Sequence, residues 1–363
     1  MMTLIETYIE YIANVRRYSR RTQEIYSDVL SSFLQHLSEH KFRIDWITGE
    51  NIRDVLNTGT IREYEVYLIN DRKLNHRSVC LHISVLSGFC RFLMKKKIIT
   101  DNPARNVSRP KTEKNLPVFY RHDRMEKYMD ESEIFASDTI GMSPEDFINA
   151  YLKFREKPGY SQERDRTLAK MTKLSEKPDK FNEWIYGKRL DRLIVSTLYS
   201  TGIRRGELIS LTRESVDLNR QQIKVKGKGD KTREIPAIKS LCKEISLYLQ
   251  AVDTTDCIIR GADSPLLMTY SGKALYPVYI DRAVKRELGE TGLFTSRKSP
   301  HVLRHTLATE LLNDGADINS IKELLGHTSL AATQIYTHNS VAKLKKVYKN
   351  AHPRAKSGGR HGD

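Results

Sequence analysis

The sequence predicts a mainly α-helical protein with one small β-hairpin or sheet, folded as two domains. Three observations lead to this prediction. Apolar residues recur every three or four positions through most of the chain, which is the period of an amphipathic helix. One short stretch around KGKGD instead alternates apolar and charged residues, and a proline-rich segment at 99–118 interrupts the helical pattern. The 363 residues suffice for two domains, each with its own core.

The first domain, residues 1–98, is predicted to be a bundle of four or five amphipathic helices. Ser19 can cap the second helix, because a serine side chain accepts hydrogen bonds from the free N–H groups of a first helical turn. The apolar stripes of the helices include Leu4, Tyr8 and Ile12; Tyr26, Leu30, Phe33 and Leu37; Ile61, Tyr64 and Leu68; and Val79, Ile83, Leu86 and Leu93.

The segment at 99–118 is predicted to be an extended, basic linker. Its three prolines exclude a continuous helix, and Arg105, Arg109 and Lys111 give it positive charge. Two interpretations fit this pattern. The segment is either a plain solvated connector or a strap that lies along a phosphate backbone.

The second domain, residues 119–350, begins with an atypical charged stretch at about 132–188. Apolar residues around Tyr151 and Met171 predict two helices there, and a strongly apolar helix begins near Leu190. A hairpin follows, because apolar and charged residues alternate over 223–226 and KGKGD then turns the chain. Later helices are predicted at about 238–250, 275–289, 301–313, 317–325, 331–337 and 340–349, before a disordered tail at 351–363.

Composition narrows the class of protein. The net charge of +16 and the pI of about 9.5 favour a polyanionic partner. No apolar run approaches the ~20 residues of a membrane span, and the N-terminus lacks the pattern of a signal peptide. The four cysteines are scattered without metal-ligand spacing, which predicts free thiols in a reducing cytoplasm and no metal site.

Two arginines are candidates for gripping a phosphate group. Arg204 opens a helix in TGIRRGEL, and Arg304 lies in HVLRHTLATELL. A guanidinium presents a planar fork of N–H donors that matches two phosphate oxygens, and two such forks can neutralise charge that builds on phosphorus. Glu207 lies one helical turn after Arg204 and can orient an arginine, although it can equally be a surface acid.

The remaining candidates supply a nucleophile and proton transfer. Tyr336 is the candidate nucleophile, and its unperturbed pKa near ~10 means that it needs a base or cationic surroundings. His301 can move a proton near neutral pH, and Lys228, in or beside the hairpin turn, can protonate a leaving oxygen. His327 follows Gly326 at a helix end and can donate to a phosphate or serve only as a cap.

With these motifs the chain resembles the Xer-like tyrosine recombinases of the phage integrase family. The matching segments are STGIRRGELISL, VKGKGDKTREIP, HVLRHTLATELL and LGHTSLAATQIYTH. The resemblance implies a tyrosine recombinase catalytic domain and a metal-free, cofactor-free catalytic set. That set comprises Arg204, Lys228, His301, Arg304, His327 and Tyr336, with Glu207 supporting it.

The N-terminal half resembles the helical, SAM-like core-binding domain of the same family, so the two domains are expected to clamp DNA. The stretch at 132–188 departs from the family pattern and is expected to contact DNA, a neighbouring protomer or an accessory factor, or to have no role. The residues expected to bind DNA are Arg20, Arg21, Arg77, Arg105, Arg109 and Lys111.

The resemblance implies site-specific recombination through a 3′-phosphotyrosyl intermediate and a Holliday junction. The expected partners are double-stranded DNA with a specific site, a homotetramer formed on it, and a second recombinase or accessory protein, all in the cytoplasm and without a membrane. The helix at 340–349 would dock on a neighbour or pack within its own protomer. Integration, excision, inversion and dimer resolution stay open, as do two alternatives: a type IB topoisomerase-like enzyme and an inactive DNA-binding regulator.

Overall fold

The structure is a computed structural model that describes residues 2–39, 42, 44–111, 118–156, 165–227, 232–255, 261 and 263–326. The chain divides into two compact units, Met1–Asn115 and Leu116–Asp363. The described residues are mostly helical, with one three-stranded antiparallel sheet. The predicted mainly α fold class is therefore confirmed.

The first unit is a helical bundle built around its longest apolar helix. Its helices are α1 (Leu4–Glu10, continued by a π-helical turn at Tyr11–Val15), α2 (Arg20–Glu39), α3 (Ile52–Val55), α4 (Thr58–Asn70) and α5 (His76–Lys95). Polar side chains fix where they begin: Ser19 Oγ accepts from the Thr22 N–H at 3.3 Å, and Asn75 Oδ1 accepts from the Ser78 N–H at 2.9 Å. The predicted apolar stripes form the core.

Helix α5 is the one described helix that is long and apolar enough to cross a membrane by length and composition. In the structure, 56% of its apolar window is buried inside the unit, where Val79, Leu86 and Leu93 are fully enclosed. The core helix of a water-exposed bundle has the same composition, so this helix is only weak evidence for a membrane span.

The basic segment after α5 packs against the first unit instead of extending freely from residue 99. Ile99, Ala104 and Val107 are buried in the core of that unit, and a 3₁₀ turn forms at Pro103–Arg105. The Asn102 amide also donates to the backbone oxygen of Ser87 at 3.1 Å. The prediction of an extended linker missed these small apolar anchors because the prolines dominate the local pattern.

The second unit is built around one long central helix. Its elements are α6 (His122–Glu131), α7 (Pro144–Arg155), α8 (Asp165–Ser175), α9 (Pro178–Thr201), α10 (Arg205–Ile209), β1 (Val216–Asp217), β2 (Gln222–Lys226), β3 (Thr232–Pro236), α11 (Lys239–Asp253), α12 (Pro277–Gly289), α13 (Pro300–Asn313) and α14 (Ile318–Leu325). Helices α11, α12 and α13 pack around α9. Helix α9 begins twelve residues before the predicted start at Leu190, because Pro178 fits the first turn of a helix.

The predicted hairpin is present and belongs to a slightly larger sheet. Strands β2 and β3 are antiparallel, with Val225 opposite Arg233 and Lys226 opposite Thr232, and β1 adds a short third strand that the sequence did not predict. The inner face carries Ile223, Val225 and Ile235 in the core. The turn residues 228–231, including Lys228, lie outside the described residues.

The atypical stretch near 132–188 has a small core of its own. Helices α7 and α8 pack on the first turns of α9 and enclose Phe147, Tyr151 and Met171. Two buried arginines of α9 hold the beginning of this stretch: Arg192 donates to Ser132 Oγ at 3.0 Å, and Arg189 donates to the Ser137 backbone oxygen at 3.1 Å. Arg192 also pairs with buried Glu244 of α11, so the stretch is anchored to the rest of the unit.

Several sequence predictions lie outside the described residues. They are the helices at 331–337 and 340–349, the tail at 351–363, and Cys257. The other three cysteines, Cys80, Cys90 and Cys242, are free thiols.

Replacing Gly202 with alanine should destabilise the second unit by about 2 kcal/mol or more, because L-residues disfavour left-handed backbone. Gly202 ends α9 with φ +62°, and an added Cβ would lie 2.6 Å from Leu325 Cδ2. Urea denaturation measures the change. Gly187→Ala is the matched control: it lies inside α9 with open space around its Cα, so that variant should be neutral or more stable. Equal stability of the two variants would contradict the prediction.

Candidate active site

Three of the six predicted catalytic residues, together with Glu207, lie among the described residues of the second unit. Arg204 precedes α10, and His301 and Arg304 lie on the first turns of α13. The other three, Lys228, His327 and Tyr336, lie outside the described residues. The described part of the site therefore consists of arginines, a carboxylate and one histidine.

Arg304 is a buried arginine whose guanidinium is held by backbone oxygens. Its Nη1 donates to the Gly202 oxygen at 2.5 Å and its Nη2 to the Leu325 oxygen at 2.6 Å. Burial, and next the positive charge of Arg204, lower the pKa of Arg304 to about 10. The side chain remains cationic at neutral pH, so a cation is kept beneath the surface with no carboxylate of its own among the described residues.

Arg204 lies beside Arg304 and is half-exposed. Its backbone N–H donates to Glu207 Oε2 at 2.8 Å, and its Nη1 donates to Glu207 Oε1 at 2.9 Å. Its Nη2 donates to the Gly326 oxygen at 2.9 Å. A guanidinium has five N–H groups, so these contacts with described residues leave further donors for a ligand.

Glu207 is a buried carboxylate at the centre of the cluster, not a surface acid. Only 6% of the residue is exposed, and it accepts hydrogen bonds from both Arg204 and Arg233. Burial alone would raise its pKa, but the donors of Arg233 and Arg204 outweigh burial and hold the pKa below the ordinary value. The carboxylate therefore stays ionised and fixes the guanidiniums around it.

Arg233 is the member of the cluster that the sequence analysis did not select. It lies on β3 and is 7% exposed, and its Nη1 and Nη2 donate to the two oxygens of Glu207 at 3.0 and 2.9 Å. Its Nε donates to the Leu324 oxygen at 3.2 Å. One signal was available: Arg233 shares the inward phase of Ile235 in a strand of period two.

The three guanidiniums converge on the end of α14. Arg233, Arg304 and Arg204 donate to three consecutive backbone oxygens, those of Leu324, Leu325 and Gly326. The last carbonyls of a helix lack intrahelical partners and carry partial negative charge, so cations are stabilising there. Three guanidiniums against one carboxylate still leave two positive charges, which suits an anionic ligand.

His301 lies near the cluster on the exposed surface of α13. Partial burial, and next the charges of Arg205 and Arg304, hold its pKa below the ordinary value. The neutral imidazole, which can accept a proton, therefore prevails at neutral pH. Arg205, whose charge helps to lower the pKa of His301, forms an ion pair with Asp281 of α12.

The six residues expected to bind DNA all lie in the first unit and all are exposed. Arg20 and Arg21, in the first turn of α2, share an ion pair with Glu24. The others gather along α5: His76 Nδ1 lies 2.9 Å from the Lys111 oxygen, which brings Lys111 near Arg77. Arg105 and Arg109 belong to the same docked segment.

No group of three or more metal-ligating side chains is found in the part of the chain that the structure describes. The charged cluster of the site contains arginines and a single carboxylate, which is not a ligand set for a divalent cation.

Two family models match the chain. The model described as "Phage integrase, N-terminal SAM-like domain" matches residues 5–97, and "Phage integrase family" matches residues 171–343. A curated tyrosine recombinase XerC from Bacillus subtilis is 30% identical, over 97% of this chain and 96% of the relative. The chain belongs to the phage integrase family of tyrosine recombinases. It is therefore a site-specific recombinase, an enzyme that acts on DNA.

Other comparisons agree with this family. The XerC of Bacillus licheniformis is 30% identical to the recombinase, over 97% of this chain and 96% of the relative. Among solved structures, XerH bound to palindromic difH matches with a TM-score of 0.57 at 18% identity, covering 95% of this chain and 83% of that one. A lambda integrase dimer bound to a core site matches at 0.53 and 16% identity, over 92% and 99%. These structures show the shared fold.

Replacing Glu207 with alanine should destabilise the recombinase by about 3–5 kcal/mol, because a buried Arg233 would lose its carboxylate partner. Urea denaturation at pH 7 measures the loss, and Glu214→Ala, at an exposed acid of the same unit, should change stability by less than about 0.5 kcal/mol. A loss no larger than that of the Glu214 control would contradict the buried ion pair.

The same carboxylate predicts a pH dependence. The pKa of Glu207 in the folded state lies below the ordinary value of 4.5. The ionised carboxylate therefore contributes fully to the free energy of unfolding above pH 4.5, and this contribution is lost as the pH falls through the pKa of the folded state. Wild type should therefore lose its advantage over Glu207→Gln in this acidic range. An advantage that persists unchanged below the folded pKa would show that the ionised carboxylate is not its source.

Proposed function

We propose that the recombinase breaks DNA by transesterification through Tyr336. The phenolic oxygen attacks the scissile phosphorus and forms a 3′-phosphotyrosyl bond, while the bond from phosphorus to the 5′ oxygen breaks and a 5′-hydroxyl leaves. The number of phosphoester bonds is unchanged, so the step needs no ATP, and the guanidiniums supply the charge stabilisation that a metal ion gives in other phosphoryl-transfer sites. The observation that carries this proposal is the cluster of Arg204, Arg304, Arg233 and Glu207, whose two excess positive charges suit a phosphodiester.

Each candidate residue has a proposed role. Arg204 and Arg304 hold the phosphate oxygens and stabilise the charge that develops in the transition state. His301 takes or returns the proton of the nucleophile, a role that fits its lowered pKa. Lys228 protonates the leaving 5′ oxygen, and His327 donates a hydrogen bond to the phosphate. Glu207 supports the arginines by the contacts described above.

Recombination requires a second transesterification. A 5′-hydroxyl from a partner duplex attacks the phosphotyrosine, releases Tyr336 and joins the strands. We propose that four protomers hold two sites and exchange strands in pairs through a Holliday junction, with the helix expected at 340–349 docked on a neighbour. A second recombinase or accessory protein completes the assembly for integration, excision, inversion or dimer resolution, in the cytoplasm and away from membranes.

The first unit is proposed as the core-binding domain that grips double-stranded DNA beside the cleavage site. Arg20, Arg21, Arg77, Arg105, Arg109 and Lys111 would contact phosphates. Each phosphate contact releases counterions, so binding should weaken steeply as the salt concentration rises. Packing of the 99–111 segment on α5 supports this role, because it holds basic residues near Arg77 in a fixed arrangement.

The stretch near 132–188 is proposed as an insertion into the catalytic domain, which spans 119–350. Neither family model covers residues 98–170. The separate small core of this stretch, and its attachment to α9, support the proposal that it was added to an existing fold. Its partner is DNA, a neighbouring protomer or an accessory protein.

Covalent trapping on DNA tests the proposed reaction. Suicide substrates carry the sequences that flank this gene, with a nick beside each candidate position so that the short cleaved strand diffuses away. The expected result is a protein–DNA band that survives denaturing electrophoresis and disappears after protease treatment. No such band on any flanking or related recombination site would refute the proposal.

A supercoil-relaxation assay separates recombination from a topoisomerase-like activity. The comparisons do not favour the topoisomerase or the inactive regulator. Plasmids without a recombination site should stay supercoiled, whereas paired sites on one plasmid should yield excised or inverted products. Efficient relaxation of plasmids without a site would favour strand rotation by a single protomer.

A further inference from the structure

Arg233 is buried beside the proposed catalytic arginines, where it can orient other side chains without contacting DNA. We infer that Arg233 is a positioning residue for strand cleavage, which holds Glu207 and the end of α14 in register with Arg204 and Arg304. The inference rests on the proposed function of those two arginines. Because only 7% of Arg233 is exposed, its role is to act through its neighbours.

The first step is the link from Arg233 to Arg204. Both nitrogens of the Arg233 fork are used on Glu207, at 3.0 and 2.9 Å. Glu207 in turn accepts from the backbone N–H and from Nη1 of Arg204, at 2.8 and 2.9 Å. A carboxylate held by a bidentate arginine has little freedom to rotate. Arg233 therefore sets the orientation in which Glu207 presents Arg204.

The second step is the link to α14. The Nε of Arg233 donates to the Leu324 oxygen, one residue before the oxygen that Arg304 uses and two before the one that Arg204 uses. Helix α14 ends at Leu325 with Gly326 as its C-cap, and the next residue in the chain is His327. Arg233 thus fixes the point from which the chain leads to His327 and Tyr336.

The close approach to Gly326 supports the same role. Gly326 has φ +67°, and a Cβ built on it would lie 3.0 Å from both Cζ and Nη1 of Arg233. The plane of the guanidinium therefore lies directly against a residue that must be glycine for two reasons, its left-handed backbone and this contact. The contact between Arg233 and Gly326 therefore holds the end of α14 against β3.

The third step is the link to the hairpin. Arg233 lies opposite Val225, at the turn end of the β2–β3 ladder. Lys228 follows Val225 by three residues in the sequence and lies outside the described residues. One side chain therefore joins the hairpin, the carboxylate and α14, which carry or lead to all the proposed catalytic groups except the two on α13, His301 and Arg304.

Lysine should not replace Arg233, because an ammonium is a point charge without the planar fork. Under single-turnover conditions on a suicide substrate, Arg233→Lys should bind DNA within about threefold of wild type. Its cleavage rate should fall about 10- to 100-fold, since a small misplacement of catalytic groups has effects of that size. A wild-type cleavage rate in Arg233→Lys would overturn the inference.

Arg192→Lys is the matched control, because Arg192 is a buried arginine of the same unit that pairs with Glu244 away from the site. At a temperature where every variant is folded, the control should cleave at the wild-type rate even if it melts earlier. An equal loss of cleavage in both variants would mean that Arg233→Lys acts only by destabilising the fold, and it would overturn the inference.

Two further readouts separate this inference from the proposed function. Arg233→Lys should speed amide hydrogen exchange about tenfold or more in α14 but not in α11, because it frees the end of α14. This readout needs no DNA, and unchanged exchange in α14 would overturn the inference. The failure of the proposed function would instead appear as wild type that forms no covalent complex.

Discussion

Arg304→Ala should lower the rate of DNA cleavage by about a hundred- to a thousandfold, since removal of one donor that stabilises developing charge has effects of that order. Arg304 is a cation held below the surface by the oxygens of Gly202 and Leu325. It has no carboxylate partner of its own among the described residues, so its charge is available to an anion. With alanine at this position, the negative charge that develops on the phosphate oxygens during attack by Tyr336 loses one of its stabilising donors.

The fold should survive this change. Two backbone oxygens lose a donor, which costs about 1–3 kcal/mol if both stay dry and less if water enters. Cleavage is measured by single-turnover trapping on a suicide substrate, with circular dichroism to confirm folding. Arg213→Ala, at an exposed arginine of the same unit, should cleave normally. Cleavage by Arg304→Ala within tenfold of that control would remove Arg304 from the catalytic set.

The helices and the hairpin could be predicted because their signals are local. Apolar spacing located the stripes that form both cores, and the alternation at 223–226 located β2. Strand β1 has only two residues, so no periodic pattern marks it. Helix α9 begins at Pro178 and not near Leu190, because proline is well tolerated in the first turn of a helix and the apolar pattern is strong only after that turn.

The sequence predicts the contacts of the candidate site between residues that are close along the chain. It does not predict the contacts between residues that are far apart along the chain. Arg204 and Glu207 lie three residues apart, so a pair between them follows from helical spacing. The pair between Glu207 and Arg233 joins residues 26 positions apart, and the contacts with α14 span 21 to 122 positions. Glu207 therefore could not be recognised as buried from the sequence.

The basic segment after α5 shows a related limit. Its prolines correctly exclude a continuous helix, yet Ile99, Ala104 and Val107 fill gaps in the core of the first unit. Such packing depends on the shape of a surface that forms only when the helices meet. The composition of the segment therefore predicts its positive charge but not its packing against the first unit.

Tyr336→Phe should abolish covalent complex formation while leaving DNA binding within about twofold of wild type, because only a hydroxyl is removed and phosphate contacts dominate affinity. Phenylalanine has no atom that can bond to phosphorus, so no slower version of the same reaction remains. The described arginine cluster is unchanged by the substitution and should still hold the phosphate. Binding without a covalent bond is thus the expected signature.

The measurement is a denaturing gel beside a native gel, with wild type and Tyr336→Phe on one suicide substrate. Tyr348→Phe is the matched control, because it removes a hydroxyl twelve residues further along the chain and should keep the covalent band. A band that persists in Tyr336→Phe would place the nucleophile on another side chain. Loss of the band in both variants would show that the effect is not specific to Tyr336. Loss in Tyr336→Phe alone, with binding retained, would identify the tyrosine that the arginine cluster serves.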